Sequence, residues 1–195
     1  MIRVALMRGR WSSPEQAPLM LLEMDSHVHA EVWVDDMGFS SGYNGKARSV
    51  YQTPRPGPSE PAPEGWDVFP LPLTSEAQGV DLMRDMWRSQ APYRYSVRDF
   101  VLPRALVDRL DPDVDCAHPE GWGTLFCSQF ALLYLRRCAL AGLLRDPDRI
   151  LWGLNSRSCA PSHLARLMPP LLASQNRRPG LLASQNRRPA PRASR

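Results

Sequence analysis

The side chains best suited to chemistry in this sequence are one cysteine and two histidines. Cys127 stands near the start of FCSQFALLYLRRCALAGLL, residues 126 to 144, which carries the strongest helical pattern of the chain. With Thr124 as the N-cap, Cys127 lies in the first helical turn, where unpaired N–H groups and the helix dipole favour a thiolate. The stretch suits a buried, unreactive cysteine equally well, because cysteine is among the most buried residue types. The cysteine alone leaves both interpretations open.

A thiolate nucleophile requires a base, and the strand pattern that begins at residue 27 offers two candidates. Aliphatic side chains occupy one face of this predicted strand. The opposite face carries His27, His29, Glu31 and Trp33. Either histidine could approach Cys127. A third polar group, for which Glu31, Ser40 and Ser41 are candidates, could fix the imidazole tautomer. The alternative is that both histidines are exposed or hydrogen-bonded at a sheet edge.

The remaining cysteines do not form a recognisable site. Cys116 with His118, and Cys159 with His163, do not match the usual spacing of zinc ligands. Cys138 falls about three helical turns after Cys127 and is predicted to lie in the core. The sequence also lacks a phosphate loop, a dinucleotide fingerprint and a Gly-x-Ser-x-Gly elbow. It therefore predicts no metal site and no cofactor.

Length and composition predict one folded domain at residues 1–170 and a basic tail at 171–195. A chain of 195 residues with 43% hydrophobic and 23% charged residues is typical of a soluble globular protein. Residues 171–180, LLASQNRRPG, are followed at once by LLASQNRRPA, a period too short for a solenoid. This indicates a tandem duplication in a disordered tail. Because the whole chain carries +4 and the tail holds six arginines and no acid, residues 1–170 carry −2. A nucleic-acid-binding face on the domain is therefore not supported.

The cellular compartment is predicted from three features: signal peptides, membrane spans and cysteine spacing. No signal peptide is apparent, and no apolar run approaches the roughly 18 to 20 residues of a membrane span. The four cysteines are too few and too irregularly spaced for a disulfide framework. We therefore expect reduced thiols and folding in a cytoplasm.

Strand patterns dominate the first third of the chain and helical patterns the rest, which is the order of an α+β protein. Strands are predicted at residues 2–7, within 18–36, at 39–52 as a return strand interrupted by glycines, and at 66–73. Helices are predicted at 74–90, 99–110, 124–144 and 159–168.

The order of the motifs SHVHAEVW, FSSGYNGKARSV, WDVFPLP, PYRY and GWGTLFCSQF is similar to that of a known superfamily. It resembles the circularly permuted papain-like, NlpC-type amidases and peptidases, in particular the small versions encoded by phages and prophages. In these proteins the histidine strand precedes the cysteine helix, which reverses papain's order, and the match spans residues 18–168. The resemblance implies a permuted papain-like fold, with a small antiparallel sheet packed against the cysteine-bearing helix.

Carried over by position, the resemblance implies Cys127 as nucleophile and His29 as base, because the family's His-x-Glu ends at Glu31. His27 is an additional histidine, so the choice of base stays open. The family's third polar residue usually stands on the strand after the histidine, which implies Ser41 or Ser40. At residue 129, glutamine replaces the acid that is more often found two residues after the cysteine.

The implied activity is thiol hydrolysis of an amide, such as a peptidoglycan peptide bond, through an acyl-enzyme on Cys127. The alternative is a phage virion or assembly protein that uses the amidase-like fold as a scaffold and binds an acidic partner through its basic tail. The expected partners are an amide or peptide substrate, such as a cell-wall peptide, or phage structural proteins. The expected location is the bacterial host cytoplasm or the virion.

Overall fold

The described part of the chain is an α+β structure with a five-stranded antiparallel sheet, as the order of strand and helix patterns predicts. The computed structural model describes residues 1–10, 12, 16, 26–42, 50–90, 126–146, 149–154 and 159–175. The strands are β1 (Ile2–Arg8), β2 (His27–Val34), β3 (Met37–Ser41), β4 (Val50–Pro54) and β5 (Trp66–Pro70). The helices are α1 (Glu76–Gln90), α2 (Cys127–Leu140) and α3 (Pro161–Gln175), with a short 3₁₀ helix at Ile150–Gly153.

The sheet has the strand order β4-β3-β2-β1-β5, and every neighbouring pair is antiparallel. β2 and β3 form a hairpin whose two-residue turn contains Asp35 at φ 53°, a left-handed conformation that aspartate tolerates. The predicted return strand at 39–52 is in fact two strands, β3 and β4, that pair with each other from Met37↔Pro54 to Ser41↔Val50. Residues 43–49 between them lie outside the described part of the chain.

Strands β2 and β3 separate from each other halfway along the hairpin. Their paired register runs from Val34↔Met37 to Val32↔Phe39, whereas β2 stays paired with β1 as far as residue 27. The hydroxyl of Ser40 donates a hydrogen bond of 2.6 Å to the carbonyl of Ala30 where this pairing ends. The first half of β2 is therefore paired with β1, and the β2–β3 register does not extend to it.

The core lies between one face of the sheet and the helices. The β2 side chains Ala30, Val32 and Val34 are buried and belong to one core cluster with residues of α2 and α3. Helix α2 is the centre of this layer, since it contacts β2, β3, α1, α3 and the 3₁₀ helix. For this reason every residue of it from 127 to 136 is buried. Leu140, its last residue, is 60% exposed.

Helix α3 extends further than the sequence pattern predicted. It ends at Gln175, and Pro169 and Pro170 lie inside it. The boundary proposed at 170/171 therefore falls within α3, and the first five residues of the duplicated segment form its last turns. Residues 176–195 and the helix predicted at 99–110 lie outside the described residues. Within the described ranges, no helix is long and apolar enough to cross a membrane.

Candidate active site

Cys127 is the first residue of helix α2. The N-cap is Phe126, whose backbone N–H donates to the side-chain oxygen of Gln129 at 2.9 Å. The glutamine thus satisfies one of the N–H groups that a helix start leaves open, as an acid would in a capping box. Thr124, the N-cap predicted from the sequence, lies outside the described residues. The cysteine is therefore at the helix N-terminus and also buried, with 3% of its surface exposed.

The ring of His29 interacts with Cys127. Burial by itself would lower the pKa of His29, but the charge of the Cys127 sulfur and a hydrogen bond with it act in the opposite direction. Together with Glu31 they raise the pKa of His29 to about 9. The imidazole is therefore protonated near neutral pH, and a protonated ring can donate to the Cys127 sulfur.

Glu31 lies on the other side of the imidazole and is fully buried. Its carboxylate accepts hydrogen bonds from Trp33 Nε1 at 2.7 Å and from Arg55 Nε and Nη2 at 2.7 and 2.6 Å. His29 Nε2 lies 3.2 Å from Glu31 Oε1. Burial would raise the pKa of Glu31, but the hydrogen bonds from His29 and Arg55 outweigh it and lower the pKa to about 2. Glu31 is therefore a buried carboxylate that stays ionised.

Tyr51 is a further member of the cluster that the sequence did not identify. Its hydroxyl lies 2.7 Å from His29 Nε2 and 3.3 Å from Glu31 Oε1. Nε2 is therefore the ring nitrogen that faces Glu31 and Tyr51, and neither of these contacts involves Nδ1. The site thus has the order thiol, imidazole, and a carboxylate with a phenol beside it.

Two tryptophans and two arginines line the polar face of the sheet around this cluster. The Trp66 ring meets His29 edge-on, with centroids 6.2 Å apart, and lies 5.3 Å from the Trp33 ring. The guanidinium of Arg55 lies over Trp66, 5.0 Å from its centroid, and that of Arg3 lies over Trp33 at 5.1 Å. The contact with Trp66 helps to hold the Arg55 guanidinium while it binds Glu31.

A glycine makes room for the Glu31–Arg55 pair. Gly38 stands opposite Trp33 in the hairpin. A Cβ atom at this position would lie 2.6 Å from Glu31 Oε2 and 2.9 Å from Arg55 Cγ. No side chain larger than hydrogen fits there without moving the ion pair.

The structure distinguishes between the two histidines of β2. The Nε2 atom of His27 lies 2.9 Å from Asp67 Oδ2, and its Nδ1 lies 3.1 Å from the hydroxyl of Ser26. Asp67 is bound at the same time by Arg8. His27 therefore belongs to a second polar cluster at the sheet surface, whereas His29 is the histidine next to Cys127.

The serines predicted as a third polar residue are both buried at the end of β3. Ser40 donates to the carbonyl of Ala30, as described above, and Ser41 pairs with Val50 in the β3–β4 register. The oxygen atoms within hydrogen-bonding distance of His29 Nε2 instead belong to Glu31 and Tyr51.

Of the other cysteines, the structure describes Cys138 and Cys159, and neither is part of the cluster. Cys138 is buried in α2, and burial raises the pKa of its thiol to about 12 despite a hydrogen bond with Tyr134. Cys159 is buried, with its sulfur 3.8 Å from the carbonyl oxygen of Ala160, while Cys116 and His118 lie outside the described residues. Among the residues that the structure describes, no group of three or more His, Cys, Asp or Glu could hold a metal ion.

Tyr51 and Arg55 were missed because no local pattern marks them. Both reach Glu31 only through the β3–β4 pairing, which sets Tyr51 opposite Ser40. A strand face of alternating polar residues, as in β2, gives a visible pattern, but a single tyrosine on another strand does not.

No protein-family model matches the chain, and no curated protein or solved structure matches it significantly.

Proposed function

We propose that this protein is a papain-like cysteine hydrolase that cleaves an amide, such as a peptidoglycan peptide bond. The observation that carries the proposal is the cluster of Cys127, His29 and Glu31 at the start of a helix packed on an antiparallel sheet. The histidine strand precedes the cysteine helix in the chain. This is the order expected of the permuted papain-like, NlpC-type proteins, whose fold we propose for residues 1–170.

The mechanism proposed is acyl transfer through the sulfur. Protonated His29 holds the Cys127 thiolate, which attacks the carbonyl carbon of the amide. The backbone N–H of Cys127, which has no acceptor within its own helix, donates to the oxyanion. The imidazolium then gives its proton to the leaving amine, and the neutral imidazole activates the water that hydrolyses the thioester.

Each polar group around His29 has a role in this scheme. Glu31 stabilises the imidazolium and orients the ring. Arg55 and Trp33 keep Glu31 ionised and fixed, since they occupy its oxygens with hydrogen bonds of 2.6 to 2.7 Å. The scheme requires no metal ion or cofactor.

The first test is the reactivity of the thiol towards a small electrophile, because Cys127 is buried. Iodoacetamide should label the wild type at neutral pH faster than it labels free cysteine, and Cys127→Ala should remove that fast phase. Cys138→Ala is the matched control and should leave it unchanged. His29→Gln should slow labelling by at least about tenfold, because a positioned base contributes on the order of 100-fold or more in general acid–base catalysis. A wild-type rate no higher than that of free cysteine, unaffected by His29→Gln, would contradict the proposal.

The second test identifies the substrate class. Peptidoglycan fragments incubated with the wild type should yield new amine and carboxylate termini at a peptide bond, detected by mass spectrometry. Cys127→Ala should yield none. A quenched reaction should also contain wild-type protein whose mass is increased by an acyl group.

A non-enzymatic function has one structural observation in its favour, which is the low exposure of Cys127. In that case the protein would be a phage virion or assembly scaffold whose basic tail binds an acidic partner. Deletion of residues 176–195, which hold all six arginines of the tail, should then abolish a salt-sensitive interaction. An active hydrolase that loses no partner on this deletion would remove the scaffold hypothesis.

A further inference from the structure

Atom Nε2 of His29 has two oxygen neighbours, and the nearer one belongs to Tyr51. The tyrosine hydroxyl lies 2.7 Å away, compared with 3.2 Å for Glu31 Oε1. The two rings are almost parallel, with an interplanar angle of 8° and centroids 6.2 Å apart. At this centroid separation the hydroxyl meets the edge of the imidazole rather than its face. The contact therefore fixes the ring plane of His29 as well as one of its nitrogens.

The carboxylate has little capacity left for the imidazole. Glu31 Oε1 already accepts a hydrogen bond of 2.6 Å from Arg55 Nη2. Its contacts with His29 and Tyr51, at 3.2 and 3.3 Å, are both longer than ordinary charge-assisted hydrogen bonds. The shortest hydrogen bond that Nε2 makes is thus with the phenol.

The positions of the protons follow from these distances. Glu31 is ionised and can only accept hydrogen bonds. Tyr51 has a single proton, and it stays on the phenol because burial, the largest cause, raises the pKa of Tyr51. If Nε2 carried no proton, its lone pair would face an ionised oxygen at 3.2 Å. Nε2 therefore donates, and the Tyr51 hydroxyl accepts from Nε2 while it donates to Glu31. Nδ1 is then the nitrogen without a proton in the neutral ring.

Tyr51 is itself held in place. It stands opposite Ser40 in the β3–β4 register. On the other side, Gly42 lies so close that a Cβ atom there would be 2.7 Å from Tyr51 Cε1. The position of the hydroxyl is thus set by the β3–β4 pairing.

We propose that Tyr51 is a positioning residue for His29. Its hydroxyl holds the neutral imidazole in the Nε2–H tautomer, so that Nδ1 exchanges the proton with the Cys127 sulfur. The Glu31 carboxylate supplies the negative charge that stabilises the imidazolium, and the Tyr51 hydroxyl sets the orientation of the ring. This role rests on the proposed thiol chemistry for its consequence in the reaction, but the tautomer itself can be measured without any reaction.

The test combines Tyr51→Phe with a spectroscopic measurement of the imidazole. In a Cys127→Ala background, which removes the sulfur's effect on the pKa of His29, ¹⁵N NMR of the labelled ring reports its tautomer above the ring's pKa. We expect the Nε2–H form to dominate with Tyr51 present. In Tyr51→Phe the ratio of tautomers should move towards Nδ1–H by about fivefold to tenfold, because one ordinary hydrogen bond is lost. In the protein with Cys127 intact, the labelling rate should fall by a similar factor.

Two further variants keep the test decisive. Tyr134→Phe removes a buried hydroxyl that donates to Gly79, away from the site, and should leave the His29 tautomer unchanged. Gly42→Ala pushes the Tyr51 ring while it retains the hydroxyl, and should reproduce the tautomer shift if Tyr51→Phe fails to fold. An unchanged tautomer in both site variants would overturn the role of Tyr51. An unreactive wild-type thiol together with the expected tautomer shift would instead overturn the proposed hydrolase.

Discussion

Glu31 is the side chain on which the polar groups of the site converge. Its two oxygens receive hydrogen bonds from an indole and a guanidinium, and they contact the imidazole and the phenol. A buried carboxylate without such partners would take up a proton, because burial disfavours its charge. Here the partners reverse the effect of burial and lower the pKa of Glu31 to about 2. The charge that stabilises a protonated His29 therefore persists well into the acidic range.

The lowered pKa of Glu31 predicts how the unfolding free energy of the protein depends on pH. Its pKa falls from 4.5 to about 2 on folding, so its contribution to the unfolding free energy is present above pH 4.5 and lost as the pH falls towards 2. A shift of this size corresponds to about 3 kcal/mol. Glu31→Gln should therefore be less stable than the wild type at pH 7 by about that amount, and the difference should shrink between pH 4.5 and 2. Urea unfolding at several pH values measures it.

The matched control for this experiment is Glu64→Gln, since the Glu64 side chain is 93% exposed and an exposed ion pair contributes little. It should follow the wild-type curve. A difference between Glu31→Gln and the wild type that stays constant from pH 7 to 2 would mean that the ionised carboxylate is not what stabilises the site.

How much of the site the sequence could predict differs from element to element. The start of α2 and the alternation along β2 are periodic features of single segments, so Cys127, His29 and Glu31 could be named as candidates. The choice between His27 and His29 could not be made, because both side chains project from the same face of β2. The register shift of the β1–β2 pairing between Met7 and Arg8, which lies beside His27, leaves no mark in the sequence. Side chains that reach the site through strand pairing, such as Tyr51, likewise could not be predicted from local sequence patterns.

The close packing around Gly38 in the β2–β3 hairpin predicts that a larger side chain there destabilises the protein. Gly38→Ala places a methyl group against Glu31 and Arg55 at distances that real Cβ atoms do not show. The ion pair must move, and we expect a loss of about 1 to 3 kcal/mol in unfolding free energy, as for other overpacked positions. Thiol labelling and the proposed hydrolysis should fall as well, because His29 loses an ordered carboxylate.

Gly153→Ala is the control for Gly38→Ala, since a Cβ at Gly153 would meet nothing within 4 Å. Its stability should stay within about 0.5 kcal/mol of the wild type. If Gly38→Ala behaved in the same way in denaturant, the close packing of Gly38 against the ion pair would be refuted.

Across the whole molecule, the first copy of the duplicated segment is part of the fold. Leu171 and Ser174 are buried, and the Gln175 side chain bonds both the backbone N–H and the carbonyl of Arg145, after the end of α2. Composition alone assigned this segment to a tail, because the arginines that follow it dominate its character. The five residues LLASQ instead complete the packing of α3 on the rest of the protein.

The duplication allows this packing role to be tested with two deletions. Removal of residues 171–180 joins Pro170 directly to the second copy, which begins with the same LLASQNRRP, so Leu181 and Gln185 can take the places of Leu171 and Gln175. This variant should unfold within about 0.5 kcal/mol of the full chain. Removal of residues 171–195 leaves neither copy and should cost about 2 to 5 kcal/mol, the range for loss of a buried leucine. Equal destabilisation by both deletions, measured by thermal and urea unfolding, would show that the two copies are not interchangeable and that LLASQ is not what packs α3.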